Sequence, residues 1–114
     1  MEKDRKGQLL CMLLAYLVGQ KVSMRDLIAV CKGYISQSDL RACLTRLENN
    51  NSISHYKDYY YRDTYYKLCS GMLFEQLALL LKPENKEWYK HIVSVAHTGR
   101  YVNRASDMVN SAIS

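Results

Sequence analysis

The stretch "LRACLTRLENNNSISHYKDYYYRDTYYKLC", residues 40–69, decides the fold, because the spacing of its apolar residues changes in the middle. Up to Leu47 the apolar residues recur every three or four positions, which is the period of one helix face. After the asparagines at 49–51 the chain holds six tyrosines between Tyr56 and Tyr66, a composition that favours strands. The stretch therefore predicts a helix followed by a two-stranded hairpin.

The predicted helix spans about 37–49, and Ser36 is its expected N-cap. A similar signal stands before a shorter helix over about 24–32, where Ser23 is the N-cap and Gly33 closes the helix in a left-handed conformation. The apolar stripe of the 37–49 helix leaves an outer face that is polar, small and cationic. Its members are Ser38, Arg41, Ala42, Thr45, Arg46 and Asn49.

The predicted strands cover about 52–58 and 63–69, with the tip of the hairpin near residues 60–62. Tyrosine here is first a sheet-forming residue, and we expect alternate rings to fill the gap against the first helix of the chain. The alternative is that the rings stack on nucleobases, which would require single strands or flipped bases.

Upstream, strong helix formers from Asp4 to about Val18 predict a first helix with Asp4 as N-cap. Because this helix is apolar nearly all round, we expect it to be buried centrally or against a second copy of the chain. Downstream, residues 70–82 predict a fourth helix, Pro83 begins a fifth, and 101–113 form a sixth.

The predicted fold class is mainly α with a small β-hairpin, since the 114 residues include one proline and five glycines. Residues 1–82 form the principal domain, and 83–114 are a helical pair that packs on it or mediates dimerisation, within the same structural unit. A symmetric homodimer is expected, because the first and fourth helices are too apolar for a lone small domain.

The bulk properties favour an anionic partner. The formal net charge is +5 and the isoelectric point is near 9.0, which suits nucleic acid or an acidic protein surface. The longest apolar run, from Leu9 to Val18, has ten residues, where a membrane span needs about twenty. We therefore expect a cytoplasmic protein that has no membrane partner.

The sequence contains no motif that predicts catalysis. No nucleophile, base and acid stand at a recognised spacing, so we expect a protein that is not an enzyme and that has no cofactor, and the sequence identifies no small-molecule ligand. The cysteines are widely spaced in apolar company and predict reduced core thiols without a metal; they are Cys11, Cys31, Cys43 and Cys69. A metal held by Cys31 and Cys43 is the alternative.

Two phrases resemble the winged helix-turn-helix domain of transcription regulators. "LRACLTRLENNNSIS", residues 40–54, resembles the recognition helix and next strand of the padR-like, arsenic-repressor-like and multiple-antibiotic-resistance-like regulators. "RDTYYKLCSGM", residues 62–72, resembles the second strand of their wing. The resemblance runs from about Gln8 to Leu81, although asparagine replaces the usual glycine before the first wing strand and the tip lacks a glycine.

The resemblance implies a transcription regulator that binds double-stranded DNA. The 37–49 helix would enter the major groove, and the outer residues that would read bases are Gln37, Ser38, Arg41, Ala42 and Thr45. The residues that would lie near phosphates are Lys32, Ser36, Arg46, Lys57 and Arg62. The alternative function is a winged-helix module for protein–protein contacts, used as the N-terminal part of a longer protein.

Overall fold

The computed structural model describes residues 4–17, 22–60 and 62–96. This part of the chain is mainly helical and has one small antiparallel sheet. The elements are α1 (Arg5–Tyr16), β1 (Val22–Ser23), α2 (Met24–Cys31), α3 (Gln37–Asn49), β2 (Ile53–Asp58), β3 (Asp63–Leu68), a 3-10 turn (Ser70–Met72), α4 (Leu73–Leu80), a second 3-10 turn (Pro83–Asn85) and α5 (Lys86–Ala96).

The local signals at the helix ends are confirmed. Asp4, Ser23 and Ser36 each accept a hydrogen bond from the backbone N–H three residues on, at 3.1 or 3.2 Å. Gly33 follows α2 with a φ of 89°, and Asn51 follows α3 with a φ of 63°. Both residues therefore reverse the chain in the left-handed region, which glycine and asparagine tolerate best.

The first helix lies at the centre of the core. Every side chain from Leu10 to Leu17 is buried, and α1 contacts α3, α4, α5 and β3. Its apolar circumference is thus covered within one chain, which confirms the central position. Burial on all sides removes apolar surface from water around the whole helix, so α1 organises the elements that pack on it.

The third helix packs on α1 through the predicted stripe. Its buried side chains are Leu40, Cys43, Leu44 and Leu47. Two ion pairs join the same two helices, from Asp4 to Arg46 at 2.9 Å and from Lys6 to Asp39 at 2.6 Å. The core contact and the flanking charges together hold α3 in one orientation, with its other face toward solvent.

The sheet contains a strand that the sequence pattern does not predict. The strand order is β1-β3-β2, and β1 pairs Val22 with Tyr66. The hairpin itself runs in register from Ile53 opposite Leu68 to Asp58 opposite Asp63, within the predicted bounds. A strand of two residues shows no periodicity, so only its pairing with β3 reveals it.

The expected alternation of the tyrosine rings is found in β3, although among the described hairpin tyrosines only Tyr66 packs against the core. Among the hairpin tyrosines that the structure describes, Tyr66 packs against the core, while Tyr56 is 43% exposed and lies beside Tyr65 on the opposite face. Ile53 and Leu68 are buried on the same side of the hairpin as Tyr66. Because strand side chains alternate between faces, one register cannot bury the adjacent rings of Tyr65 and Tyr66 on one side.

The fourth predicted helix is divided. Residues 70–72 form a 3-10 turn, and the regular helix begins only at Leu73 and ends at Leu80. Gly71 lies in that turn, and glycine is a poor helix former, which accounts for the later start. Pro83 begins a helical segment as predicted, first as a 3-10 turn and then as α5. The helix predicted over 101–113 lies outside the described residues.

The fifth helix completes the core. Trp88 and Ile92 are buried, and the Trp88 indole N–H donates to the Leu9 carbonyl of α1 at 3.1 Å. Next to it, His91 Nε2 lies 2.6 Å from the Val30 carbonyl near the end of α2. Helix α5 therefore holds both α1 and α2 in place. No described helix is long and apolar enough to cross a membrane.

Candidate nucleic-acid interface

The outer face of α3 is open to solvent. All of the residues proposed to read bases are exposed: Gln37, Ser38, Arg41, Ala42 and Thr45. They alternate along the helix with the buried leucine stripe, so one regular helix both anchors itself in the core and presents this face. Among residues 4–17, 22–60 and 62–96, nothing buries these five side chains.

Arg41 is the cation best placed on this face. Within the described ranges no ion pair involves it, whereas the two acids of α3 are engaged, Asp39 by Lys6 at 2.6 Å and Glu48 by His55 at 2.7 Å. Arg41 also affects the hairpin, since burial raises the pKa of Tyr66 and the positive charge of Arg41 opposes that rise. A guanidinium that forms no ion pair with a neighbour can donate two hydrogen bonds to the edge of a guanine base.

The small polar residues of the face are partly engaged by their own helix. The Thr45 hydroxyl donates to the Arg41 carbonyl at 3.1 Å, so toward a ligand it offers a lone pair and a methyl group. The Ser36 hydroxyl caps α3 and lies 3.3 Å from the Ser38 hydroxyl. The Ser36 hydroxyl is therefore engaged in capping α3, and Gln37 and Ser38 are the first residues of the exposed face.

Arg46 has an internal partner that the sequence pattern does not predict. Its guanidinium donates two hydrogen bonds to the Asp4 carboxylate, at 2.9 and 3.1 Å. The hydrogen bond from Arg46 holds the pKa of Asp4 below its usual value. A phosphate at this point would have to displace Asp4, so Arg46 is a weaker candidate for phosphate contact than its exposure suggests.

The turn between α2 and α3 forms a shallow cleft. Its volume is about 350 Å³, its floor includes Ile28, Ile35 and Leu40, and Lys32 and Gln37 lie at the rim. Lys32 is exposed beside the first turn of α3. This arrangement places a cation and the start of the open α3 face side by side.

The hairpin carries the remaining predicted cations. Lys57 and Arg62 are exposed and line a cleft of about 290 Å³ together with Asp58, Tyr59 and Asp63. Arg62 has a φ of 53°, in the left-handed region that an arginine seldom adopts. The two cations therefore share their surface with two carboxylates, and their attraction for phosphate is correspondingly moderate.

Cys11, Cys31 and Cys43 are buried, as expected of core thiols. Burial raises the pKa of Cys11 to about 11 and that of Cys31 to about 12, and it also raises the pKa of Cys43. These buried thiols are therefore protonated near neutral pH. Across the described residues, no three or more histidine, cysteine or acidic side chains are grouped to hold a metal ion.

Cys69 does not lie in the core as predicted. It is exposed and follows the buried Leu68, the last residue of β3. Its backbone N–H donates to the Ser52 carbonyl at 2.9 Å, which extends the hairpin by one hydrogen bond. Alternation along the strand turns its side chain away from the face that Leu68 occupies.

Comparison of the chain with protein-family models, with curated proteins and with solved structures gives no match. Any assignment of function therefore depends on the geometry and charge of the described residues.

Proposed function

We propose that this chain is a winged helix-turn-helix module that binds double-stranded DNA and regulates transcription. The observation that carries the proposal is the open face of α3, where Arg41 has no ion-pair partner among the described residues while the leucine stripe is buried. A rigid helix with an exposed guanidinium has the shape and charge that a major groove accepts.

The connections around α3 support this proposal. α2 and α3 are joined by a short turn containing Gly33, as in helix-turn-helix motifs. The hairpin follows α3 directly, and β1 ties the segment before α2 to the return strand β3. Helix, turn, helix and hairpin thus belong to one packed unit, so a groove contact by α3 would bring the hairpin to the neighbouring backbone.

In the proposed complex the residues divide into two roles. Arg41 reads guanine through two hydrogen bonds, Gln37 is suited to adenine, and the Thr45 methyl can contact thymine. Lys32 and Lys57 neutralise phosphates on either side of the groove, a contribution that is independent of sequence.

We also propose that the module acts as a symmetric dimer, which would place two α3 helices about one DNA turn apart. Because α1 is covered within the chain, the support comes from α4, where Phe74 is 69% exposed. Sedimentation of the wild type and of Phe74→Ser tests this step. A monomeric wild type would refute it without affecting groove binding.

The direct test is selection of bound duplexes from a random pool at two salt concentrations, followed by titration of Arg41→Ala on the selected site. We expect a loss of about 1–3 kcal/mol and a relaxed preference at one base position. Arg41→Lys should retain affinity for random duplex and lose the base preference, because lysine keeps the charge but not the planar fork. Lys86→Ala, which changes an exposed cation on α5, is the matched control.

The salt dependence separates this function from protein contact. A module that neutralises several phosphates should lose affinity with a slope of roughly −0.9 per contact in a plot of log K against log salt. Lys57→Ala should make that slope shallower. If no duplex is selected at either salt concentration, the DNA-binding function is wrong and the protein-contact alternative takes its place.

A further inference from the structure

The tip of the hairpin exposes two adjacent aromatic rings. Tyr59 is 88% exposed and Tyr60 is 86% exposed, and both belong to the turn that joins β2 to β3. Each of these rings therefore presents nearly all of its surface to water. Large aromatic surface in contact with water is unfavourable, and binding of a partner removes it from water. Neighbouring exposed rings on a protruding tip are therefore typical of a binding surface.

Two aspartates beside the tip accept hydrogen bonds from nearby backbone N–H groups. The Asp58 carboxylate accepts a hydrogen bond from the Tyr60 N–H at 2.9 Å, and Asp63 accepts one from the Thr64 N–H at 2.8 Å. The Asp58 bond lies within the turn, which is a common role of aspartate beside a chain reversal, and the Asp63 bond lies at the start of β3. Their presence is explained without a cationic ligand.

An arginine occupies the strained position of this turn. Arg62 has a φ of 53°, where glycine or asparagine would fit at lower cost, and its side chain is exposed in the same cleft as Tyr59 and Lys57. Strain that persists at an exposed tip points to a use for the side chain that is held there. The tip therefore combines two highly exposed tyrosines with cations next to them.

We propose that Tyr59 and Tyr60 stack on unpaired bases next to the duplex that α3 binds, with Lys57 and Arg62 beside the backbone of the single strand. The proposal rests on the proposed function, because α3 supplies the duplex contact and the hairpin extends from it. Aromatic rings interleaved with cations are the usual platform for single-stranded nucleic acid, and stacking tolerates any base because every base has a π-face.

Other partners fit the tip less well. A wedge that opens duplex base steps is normally purely apolar, whereas tyrosine carries a hydroxyl that would lose water inside the stack. A surface of anionic lipid would bind this tip mainly through its charged head groups, beside Asp58 and Asp63, whereas a single strand also gains from base stacking on the rings. Stacked bases need only the exposed faces of the rings and leave both carboxylates in water.

The test is a fluorescence anisotropy titration of the full chain on two DNA probes. One is a blunt duplex of about 20 base pairs, and the other is the same duplex with about six unpaired nucleotides at one end. The first unpaired position carries 2-aminopurine, whose emission falls when the base stacks. We expect wild type to bind the extended probe about tenfold more tightly and to quench the 2-aminopurine emission.

Two double variants isolate the rings. Tyr59→Ala with Tyr60→Ala should lose the preference and the quenching, and it should keep the affinity for the blunt duplex. Tyr59→Phe with Tyr60→Phe should retain both signals, because only the hydroxyls are removed. Both changes lie on the exposed tip, and circular dichroism of each variant checks that the fold is unchanged.

Three results would overturn the inference. Equal affinity of wild type for the two probes would refute it and leave groove binding by α3 intact. If the alanine variant still prefers the extended probe, the tyrosines do not cause the preference and the stacking proposal is wrong. A protein contact would then be the explanation for their exposure. Failure to bind either probe would refute the proposed function and this inference together.

Discussion

Asp4 serves two purposes at the start of α1. Its carboxylate caps the helix through the Gly7 N–H, and the same group accepts both hydrogen bonds from Arg46 of α3. The first interaction is local and the second joins residues that are 42 positions apart. One side chain therefore begins α1 and also orients the helix that carries the candidate interface.

Two substitutions separate these purposes. Asp4→Ala removes cap and ion pair and should lower the free energy of unfolding by about 1 kcal/mol. Asp4→Asn keeps a good cap and loses only the charge, so about 0.5 kcal/mol or less should be lost, as is usual for an exposed pair. Urea denaturation at neutral pH measures both, and equal losses in the two variants would show that the cap contributes nothing.

The carboxylates of Asp4 and Asp39 predict that the stability of the fold depends on pH in the acid range. The hydrogen bond from Arg46 lowers the pKa of Asp4, and the hydrogen bond from Lys6 lowers the pKa of Asp39, from the ordinary value of 3.8. A group whose pKa is lower in the folded state stabilises the fold above the unfolded-state pKa, and this contribution is lost as pH falls through the folded-state pKa. Stability should therefore decrease below a pH of about 4.

Denaturation midpoints measured across the acid range test this dependence. Asp39→Asn should flatten the profile in the most acidic part of the range, since the variant has no proton to gain at that position. An identical profile for the wild type and the variant would contradict the role of the Lys6–Asp39 pair.

At the scale of elements, the turn between α2 and α3 decides where the open face of α3 lies. Gly33 has a φ of 89°, and a methyl group added there would meet no atom within 4 Å. Gly33→Ala should therefore lower the free energy of unfolding by about 1–2 kcal/mol through backbone strain alone. Gly33→Asn should cost less, because asparagine tolerates the left-handed region.

Gly71→Ala is the matched control for this prediction. Gly71 also has open space around its Cα, but its φ is not positive, so alanine should be neutral or slightly stabilising. Thermal denaturation of the variants compares them directly. Equal effects at the two glycines would mean that Gly33 has no special conformational role.

Sequence signals were most informative at this scale. The bounds of α3, the caps at Ser23 and Ser36, and the left-handed Gly33 agree with the prediction. Each of these depends on neighbours within about four residues, which the sequence displays directly. The strand β1 does not agree with that rule, since Val22 and Ser23 become a strand only by pairing with β3.

At the scale of the whole molecule, α5 joins the helices that carry the candidate interface to the rest of the core. Trp88 is buried, its indole donates to Leu9 of α1, and its ring contacts Tyr34 of the α2–α3 turn and His91. A change at Trp88 should therefore affect the core and the turn together.

Trp88→Ala should lower the free energy of unfolding by about 3–5 kcal/mol, because it leaves a large cavity beside α1. Trp88→Phe retains most of the apolar volume but leaves the Leu9 carbonyl without its donor, at a cost of about 1–3 kcal/mol. Equilibrium unfolding followed by circular dichroism measures both variants. A small loss for Trp88→Ala would show that α5 is an appendage and not a part of the core.

The amino-acid sequence alone determined the helix caps, the α3 stripe, the hairpin and the identity of the open α3 face. It could do so because these follow from periods and turn chemistry that act over a few residues. Tertiary structure alone decided that Arg46 is held by Asp4, that Cys69 and the rings of Tyr59 and Tyr60 face solvent, and that β1 joins the sheet. These outcomes depend on which distant segments come together when apolar surface is buried, and local sequence patterns do not predict those long-range contacts.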